Sequence, residues 1–151
     1  MKNLKTIRPY LYIFLILLIT IYIFSNSCKV AVVSTENSDV IVNYVSEFSS
    51  AGRNILTIFV RKFAHIAEFF LQSVSACLFL NSLGKFPKNI IYILFGGLFT
   101  ACCDEFIQLY VDGRAGLVTD IFLDFAGTCV GILFCVVIYL ITKKLSIGDK
   151  K

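Results

Sequence analysis

Charged residues and histidine are scarce in this sequence, and their scarcity excludes several classes of protein. Charged side chains make up 16% of the 151 residues and hydrophobic ones 58%, which is more apolar surface than one soluble core could bury. His65 is the only histidine, so a metal site built from several histidines is excluded. The basic residues are not interleaved with aromatic ones in the manner of a nucleic-acid-binding surface, so we expect no nucleic-acid partner. The chain requires lipid as its solvent.

The six cysteines form no recognisable disulfide or zinc pattern. Five of them fall inside apolar segments, where a thiol behaves as a small apolar group. Cys28 follows the first apolar segment, an arrangement also found in lipoproteins and after cleavable signal peptides. The leucine-containing box of lipoproteins is missing, and no small-x-small cleavage site is clear. We therefore expect the first segment to remain as an uncleaved helix.

Four apolar segments of about 20 residues are each long enough to span a hydrocarbon core about 30 Å thick. The sequence therefore predicts an all-α fold, an integral membrane bundle of four transmembrane helices in a single domain, 1–151. The end of the first loop, near 55–60, could extend the second helix or lie along the membrane interface. The predicted spans are 10–25, 63–83, 89–110 and 119–142, and the predicted extracellular loop is 26–60.

The distribution of positive charge predicts the orientation of these spans. Lysine and arginine favour cytoplasmic loops, and nine of them fall on the side of the two termini against five on the other side. The nine lie in short segments, where this rule is strongest. We therefore expect both termini to be cytoplasmic, in a multi-pass protein of the plasma membrane whose partners include membrane lipid.

Ionisable residues occur inside three of the predicted spans, where an unpaired charge costs a few kcal/mol or more. They recur at helical spacing, so those of one span share one helix face. At 1.5 Å per residue, Glu68 and Asp124 should lie roughly 6 Å, and Asp104 about 8 Å, below the outer boundary. Arg114 belongs to the turn that joins the last two spans. We therefore predict one polar cluster at the non-cytoplasmic end, formed by Arg61, Lys62, His65, Glu68, Asp104, Glu105, Gln108, Arg114, Asp120 and Asp124.

Glycines near this cluster are predicted to serve packing and the turn. Gly113 permits a tight turn between the last two spans. Gly127 and Gly131 form a small-x-x-x-small pair that lets a neighbouring helix approach closely. Gly96 and Gly97 could do the same in the third span.

The formal charge of the cluster suggests more than a structural clamp. Three cations (Arg61, Lys62 and Arg114) stand against five acids, which leaves a surplus of two negative charges when His65 is neutral. Protonation, a metal ion or a cationic ligand could remove this surplus. A carboxylate-rich Mg²⁺ or Mn²⁺ site with His65 and Glu68 stays open as an alternative, and we assign no metal ligand from the sequence. We also expect Glu68, Asp104 and Asp120 to be energetically coupled with Arg61 or Arg114, since each would otherwise be an uncompensated buried charge.

These residues together resemble the VanZ-like family of bacterial membrane proteins. The resemblance covers the chain from the end of the first span onward. Where the family usually has asparagine, this sequence has Asp124. The resemblance rests on three blocks in order: Arg61-Lys62-x-x-His65-x-x-Glu68, then Asp104-Glu105-x-x-Gln108, then Gly113-Arg114 followed by Asp120-x-x-x-Asp124-x-x-Gly127.

The resemblance implies a bacterial plasma-membrane protein that lowers susceptibility to teicoplanin, a lipoglycopeptide antibiotic. It implies no established reaction or mechanism, and the cofactor stays unknown. The first hypothesis is that the cluster binds the polar head of an amphiphile, either a lipoglycopeptide or a lipid-linked cell-wall precursor. The alternatives are an enzyme acting on such a head group, with His65 as its acid or base, and a small proton-coupled transporter.

Overall fold

The computed structural model describes residues 2–29 and 53–148. Within these ranges the regular secondary structure is four α-helices: α1 (Lys2–Ser27), α2 (Arg53–Ser82), α3 (Ile90–Gln108) and α4 (Val118–Gly148). Each contains a segment long and apolar enough to cross a membrane. The predicted all-α bundle with four membrane-spanning helices is confirmed.

Large apolar side chains lie mainly on the outside of the bundle. Phe63, Phe99 and Phe122 are each about 70% exposed, on three different helices. The buried set includes ten polar or charged residues, among them Asp104 and Asp124. A water-soluble protein would show the opposite distribution, whereas an apolar exterior and a polar interior suit a multi-pass protein surrounded by lipid.

The helices differ from the predicted segments mainly at their ends. Helix α2 begins at Arg53, ten residues before the predicted span, so the segment 55–60 extends this helix. Helix α1 continues to Ser27, two residues beyond the predicted span. Both additions lie at the end of the bundle that carries the connection 109–117, and both contribute to the polar cluster there.

The most extensive packing in the bundle is that of α2 against α4, and two glycines of α4 permit it. A Cβ at Gly127 would lie 2.5 Å from the main-chain oxygen of Ile66. A Cβ at Gly131 would collide with the hydroxyl of Ser73. The backbones of the two helices are therefore close enough for short polar side chains on α2 and α4 to face each other.

Candidate functional site: a polar cavity at one end of the bundle

A cavity of about 230 Å³ lies at the end of the bundle near the connection 109–117. Helix α2 contributes Ile58, which lies in the first turns that precede the predicted span. The same helix contributes basic residues and His65. Leu117 and Leu123 contribute apolar surface to the wall of the cavity. Most of the predicted cluster lines this cavity: Arg61, Lys62, His65, Glu105, Gln108, Arg114, Asp120 and Asp124.

Asp104 lies behind the cavity and is fully buried. The hydroxyl of Ser27 donates a hydrogen bond to Asp104 Oδ1, and the side-chain amide of Gln108 donates one to Oδ2 over 3.0 Å. The i, i+4 spacing of Asp104 and Gln108 on α3 permits the second bond. Two elements therefore hold this carboxylate in a defined orientation.

Glu68 faces α1. Asn26 Nδ2 donates a hydrogen bond to Glu68 Oε1 over 2.8 Å, while Asn26 Oδ1 accepts one from Lys29. The main-chain oxygen of Asn26 also accepts a 3.2 Å hydrogen bond from Arg114 Nη2. Asn26 thus connects the end of α1 to the middle of α2 and to the connection between α3 and α4.

Glu105 anchors the beginning of α4. Its Oε2 accepts a 2.8 Å hydrogen bond from the main-chain N–H of Leu117, one residue before the helix starts. Its Oε1 accepts a 3.0 Å bond from Gln108. Gly113 adopts a φ of +74°, a left-handed conformation that favours glycine, in the same connection. The carboxylate therefore fixes the turn that carries Arg114.

Among the described residues, the acids that we expect to be coupled with the two arginines form no direct ion pair with them, and the energetic coupling stays a prediction. Asp120 pairs with Lys62, whose Nζ lies 2.7 Å from Asp120 Oδ1. Glu68 and Asp104 bind uncharged side chains of α1 instead. Within the described ranges, no ion pair of a carboxylate with Arg61 or Arg114 occurs. Short side chains from α1 lie closer to these acids than the guanidinium groups do.

Arg114 is left with unused hydrogen-bonding capacity. Its Nε and Nη1 are buried and have no hydrogen-bond partner. Burial, and after it the neighbouring charge of Arg61, lower the pKa of the Arg114 guanidinium, but an arginine remains charged under physiological conditions. The cavity wall thus presents a cation that is paired with no anion among the residues that the structure describes.

His65, Asp104 and Asp124 come together from three helices. His65 Nδ1 lies 3.8 Å from Asp104 Oδ2 and 3.7 Å from Asp124 Oδ1. One donor atom from each of the three residues lies within 4.8 Å of the other two. The sequence-based alternative of a metal site with Glu68 is not supported, because Glu68 turns towards Asn26 and Asp124 takes that place.

Three buried acceptors around these residues also lack partners: His65 Nδ1, Glu68 Oε2 and Asp124 Oδ2. Unsatisfied donors on Arg114 and unsatisfied acceptors therefore occur at the same end of the bundle without bonding to each other. A buried polar atom without a partner costs about 1–3 kcal/mol. This arrangement indicates a site whose polar groups are completed by something that binds between them.

Sequence reasoning missed Asn26 and Ser27 as contributors to the site. They stand in the polar run Ser25-Asn26-Ser27, which is the available signal, since three polar residues end an otherwise apolar helix. Of the glycines, Gly97 packs against Thr128, whereas nothing lies within 4 Å of a Cβ at Gly96. The expectation of close packing at Gly96 is wrong because that position faces open space.

Comparison with known proteins identifies one family. A family model described as VanZ/LLP1 matches residues 10–140, which include all of α2 and α3 and most of α1 and α4. No curated protein and no solved structure matches the chain.

Proposed function

Because the chain belongs to the VanZ/LLP1 family, we propose that its cavity binds the polar head group of a membrane amphiphile in the outer leaflet and thereby lowers susceptibility to lipoglycopeptides such as teicoplanin. The observation that carries the proposal is the set of unpartnered buried polar atoms at the cavity. Donors on Arg114 and acceptors on His65 and Asp124 do not bond to one another. A head group that both donates and accepts hydrogen bonds would satisfy both sets.

The location of the cavity in the fold supports an amphiphilic ligand. The cavity lies at one end of helices whose outer faces are apolar, as Phe63 and Phe122 illustrate. An amphiphile with its tail in the lipid would bring its head to the depth of the cavity. The predicted orientation, based on nine against five basic residues, would make this the outer end.

The composition of the described cavity wall favours binding over catalysis by a serine, threonine or cysteine nucleophile. Among the described lining residues there is no serine, threonine or cysteine. Ser73 and Ser75 lie further along α2 and donate hydrogen bonds to main-chain oxygens of their own helix. A hydroxyl or thiol nucleophile adjacent to a base is therefore missing from the described wall.

The experiment compares susceptibility to teicoplanin, which has a lipid tail, with susceptibility to vancomycin, which has none. A sensitive bacterial host expresses the wild type or Glu68→Gln, Asp104→Asn or His65→Ala. We expect the wild type to protect against teicoplanin more than against vancomycin, and each variant to lose this selective protection. The reason is that each substitution removes an ionisable group from the site while the apolar exterior is unchanged.

Asp112→Asn is the matched control, since it makes the same carboxylate-to-amide change at an exposed position of the connection. The membrane abundance of every variant is measured by immunoblotting. Equal protection by the wild type and all three site variants at equal abundance would contradict the role of the cavity. Absence of any protection by the wild type would contradict the lipoglycopeptide function.

A further inference from the structure

The three residues that meet beneath the cavity have the donor atoms and spacing of a metal site. Ligand atoms bound to one cation at about 2.1 Å lie about 3 Å apart when adjacent and about 4.2 Å apart when opposite. The observed separations of His65 Nδ1 from the two carboxylates are 3.7 and 3.8 Å. Side-chain adjustments of less than about 1 Å would bring all three to coordination distance.

Asp124 supplies an independent sign of a missing ligand. Its side chain is 1% exposed and lines the cavity, yet Oδ2 has no hydrogen-bond partner. His65 Nδ1, which faces this carboxylate, is likewise without a hydrogen bond. A buried carboxylate and an imidazole nitrogen that both lack a partner are expected where a cation belongs between them.

Asp104 accepts hydrogen bonds of the kind that orient a carboxylate for metal binding. Ser27 and Gln108 each donate a hydrogen bond to one of its oxygens. Such bonds to a coordinating carboxylate set its direction and leave further lone pairs for the metal. Hydrogen bonds of this kind are compatible with coordination, and they hold Asp104 in place before a metal binds.

The charge of the cluster also matches a doubly charged ion. The cavity wall carries three basic residues and three acids, and Glu68 and Asp104 behind it add two negative charges. One divalent cation removes this surplus of two. It would also allow a phosphate-bearing head group to approach, because the metal and Arg114 would both attract it.

We propose that His65, Asp104 and Asp124 bind one divalent cation, for which a nitrogen and two carboxylates suit Mn²⁺, and that its remaining coordination positions face the cavity. This inference deepens the proposed function and rests on it, since the cation would contact a phosphate-bearing head group. Three protein donors leave about three positions of an octahedral ion for water or head-group oxygens.

Electron paramagnetic resonance of the full chain in detergent, titrated with Mn²⁺, tests the proposal. Binding reduces the six-line signal of hydrated Mn²⁺, and pulsed measurements report coupling to ¹⁴N when an imidazole coordinates the ion. We expect one Mn²⁺ per chain with ¹⁴N coupling. His65→Ala should abolish the coupling, and Asp104→Asn and Asp124→Asn should weaken binding more than about tenfold. Asp112→Asn should leave binding unchanged.

Absence of binding to the wild type, or binding without ¹⁴N coupling, would overturn the inference, as would equal affinity in all variants. If the variants fail to fold, ¹⁴N coupling in the wild type decides alone, because His65 is the only histidine. Teicoplanin protection without Mn²⁺ binding would refute the metal site and leave the proposed function standing. Mn²⁺ binding without protection would refute that function and leave the metal site.

Discussion

Replacing Gly127 with alanine perturbs the contact of α4 with α2 that brings Asp124 close to His65. A Cβ at position 127 would lie 2.5 Å from the main-chain oxygen of Ile66, whereas ordinary contact begins at 3.4 Å. The difference, 0.9 Å, is the local separation that the two helices must undergo. A main-chain oxygen inside a helix cannot move aside as a flexible side chain would.

The expected cost follows from two opposing effects. Overpacking a close contact typically costs about 1–3 kcal/mol, and the rigid oxygen of Ile66 places this site near the upper value. Alanine has a higher helix propensity than glycine by about 1 kcal/mol. We therefore expect Gly127→Ala to lower the free energy of unfolding by about 2 kcal/mol.

Gly96→Ala is the matched control, because a Cβ at position 96 meets nothing within 4 Å. Only the gain in helix propensity applies there, so stability should rise by up to about 1 kcal/mol. Equilibrium unfolding in mixed micelles, followed by circular dichroism, measures both variants. A Gly127→Ala protein as stable as the wild type, or a shift of both variants in the same direction, would refute the close helix approach.

Three further substitutions or measurements test other parts of the structure. Ser27→Ala removes a hydrogen bond to the fully buried Asp104 and should lower the free energy of unfolding in micelles by about 2 kcal/mol. Ser25 is exposed, so Ser25→Ala should change this free energy by less than about 0.5 kcal/mol. Equal effects of the two substitutions would contradict the contact between Ser27 and Asp104. A double-mutant cycle of Lys62 with Asp120 should give a coupling energy below about 1 kcal/mol, because the two side chains are 43% and 26% exposed. A coupling energy above about 2 kcal/mol would contradict this and show that the pair is shielded from solvent. A membrane-impermeant maleimide should label the exposed Cys28 in intact cells and fail to label Cys28→Ser; labelling only after permeabilisation would reverse the predicted orientation.

Helical periodicity was sufficient to predict contacts within one helix and the position of some of its polar residues. Asp104 and Gln108 are four residues apart, and they bond to each other as that spacing indicates. The same spacing brings His65 to the cavity wall. These predictions succeeded because the relation between i and i+4 is a property of one helix and needs no knowledge of its neighbours.

The choice of partners between helices could not be predicted in this way. It depends on how far each helix is rotated about its axis, and the sequence pattern constrains that rotation only to the width of a face. The hydrogen bond that Glu68 accepts from Asn26 of α1 was therefore not predicted. Nor was the ion pair in which the long side chain of Lys62 reaches Asp120.

The contribution of α1 was missed for a different reason. Polar residues at the end of a membrane helix are common where the chain meets water, so Asn26 and Ser27 carried no distinctive signal. Their role depends on α1 ending at the same depth as Asp104, which only the assembled bundle defines. Likewise, the bond from Glu105 to Leu117 requires the geometry of the turn.

Photo-crosslinking in native membranes tests most directly whether the cavity binds a head group. A photoreactive amino acid replaces Leu123, which lines the cavity, or its neighbour Phe122, which is 68% exposed on the outer face. Mass spectrometry then identifies the captured molecules and the part of each that is attached. We predict adducts through the polar head of one amphiphile class at position 123, reduced by His65→Ala, and adducts through the tails of bulk lipids at position 122. The same lipid-tail adducts at both positions, unaffected by His65→Ala, would contradict a head-group site.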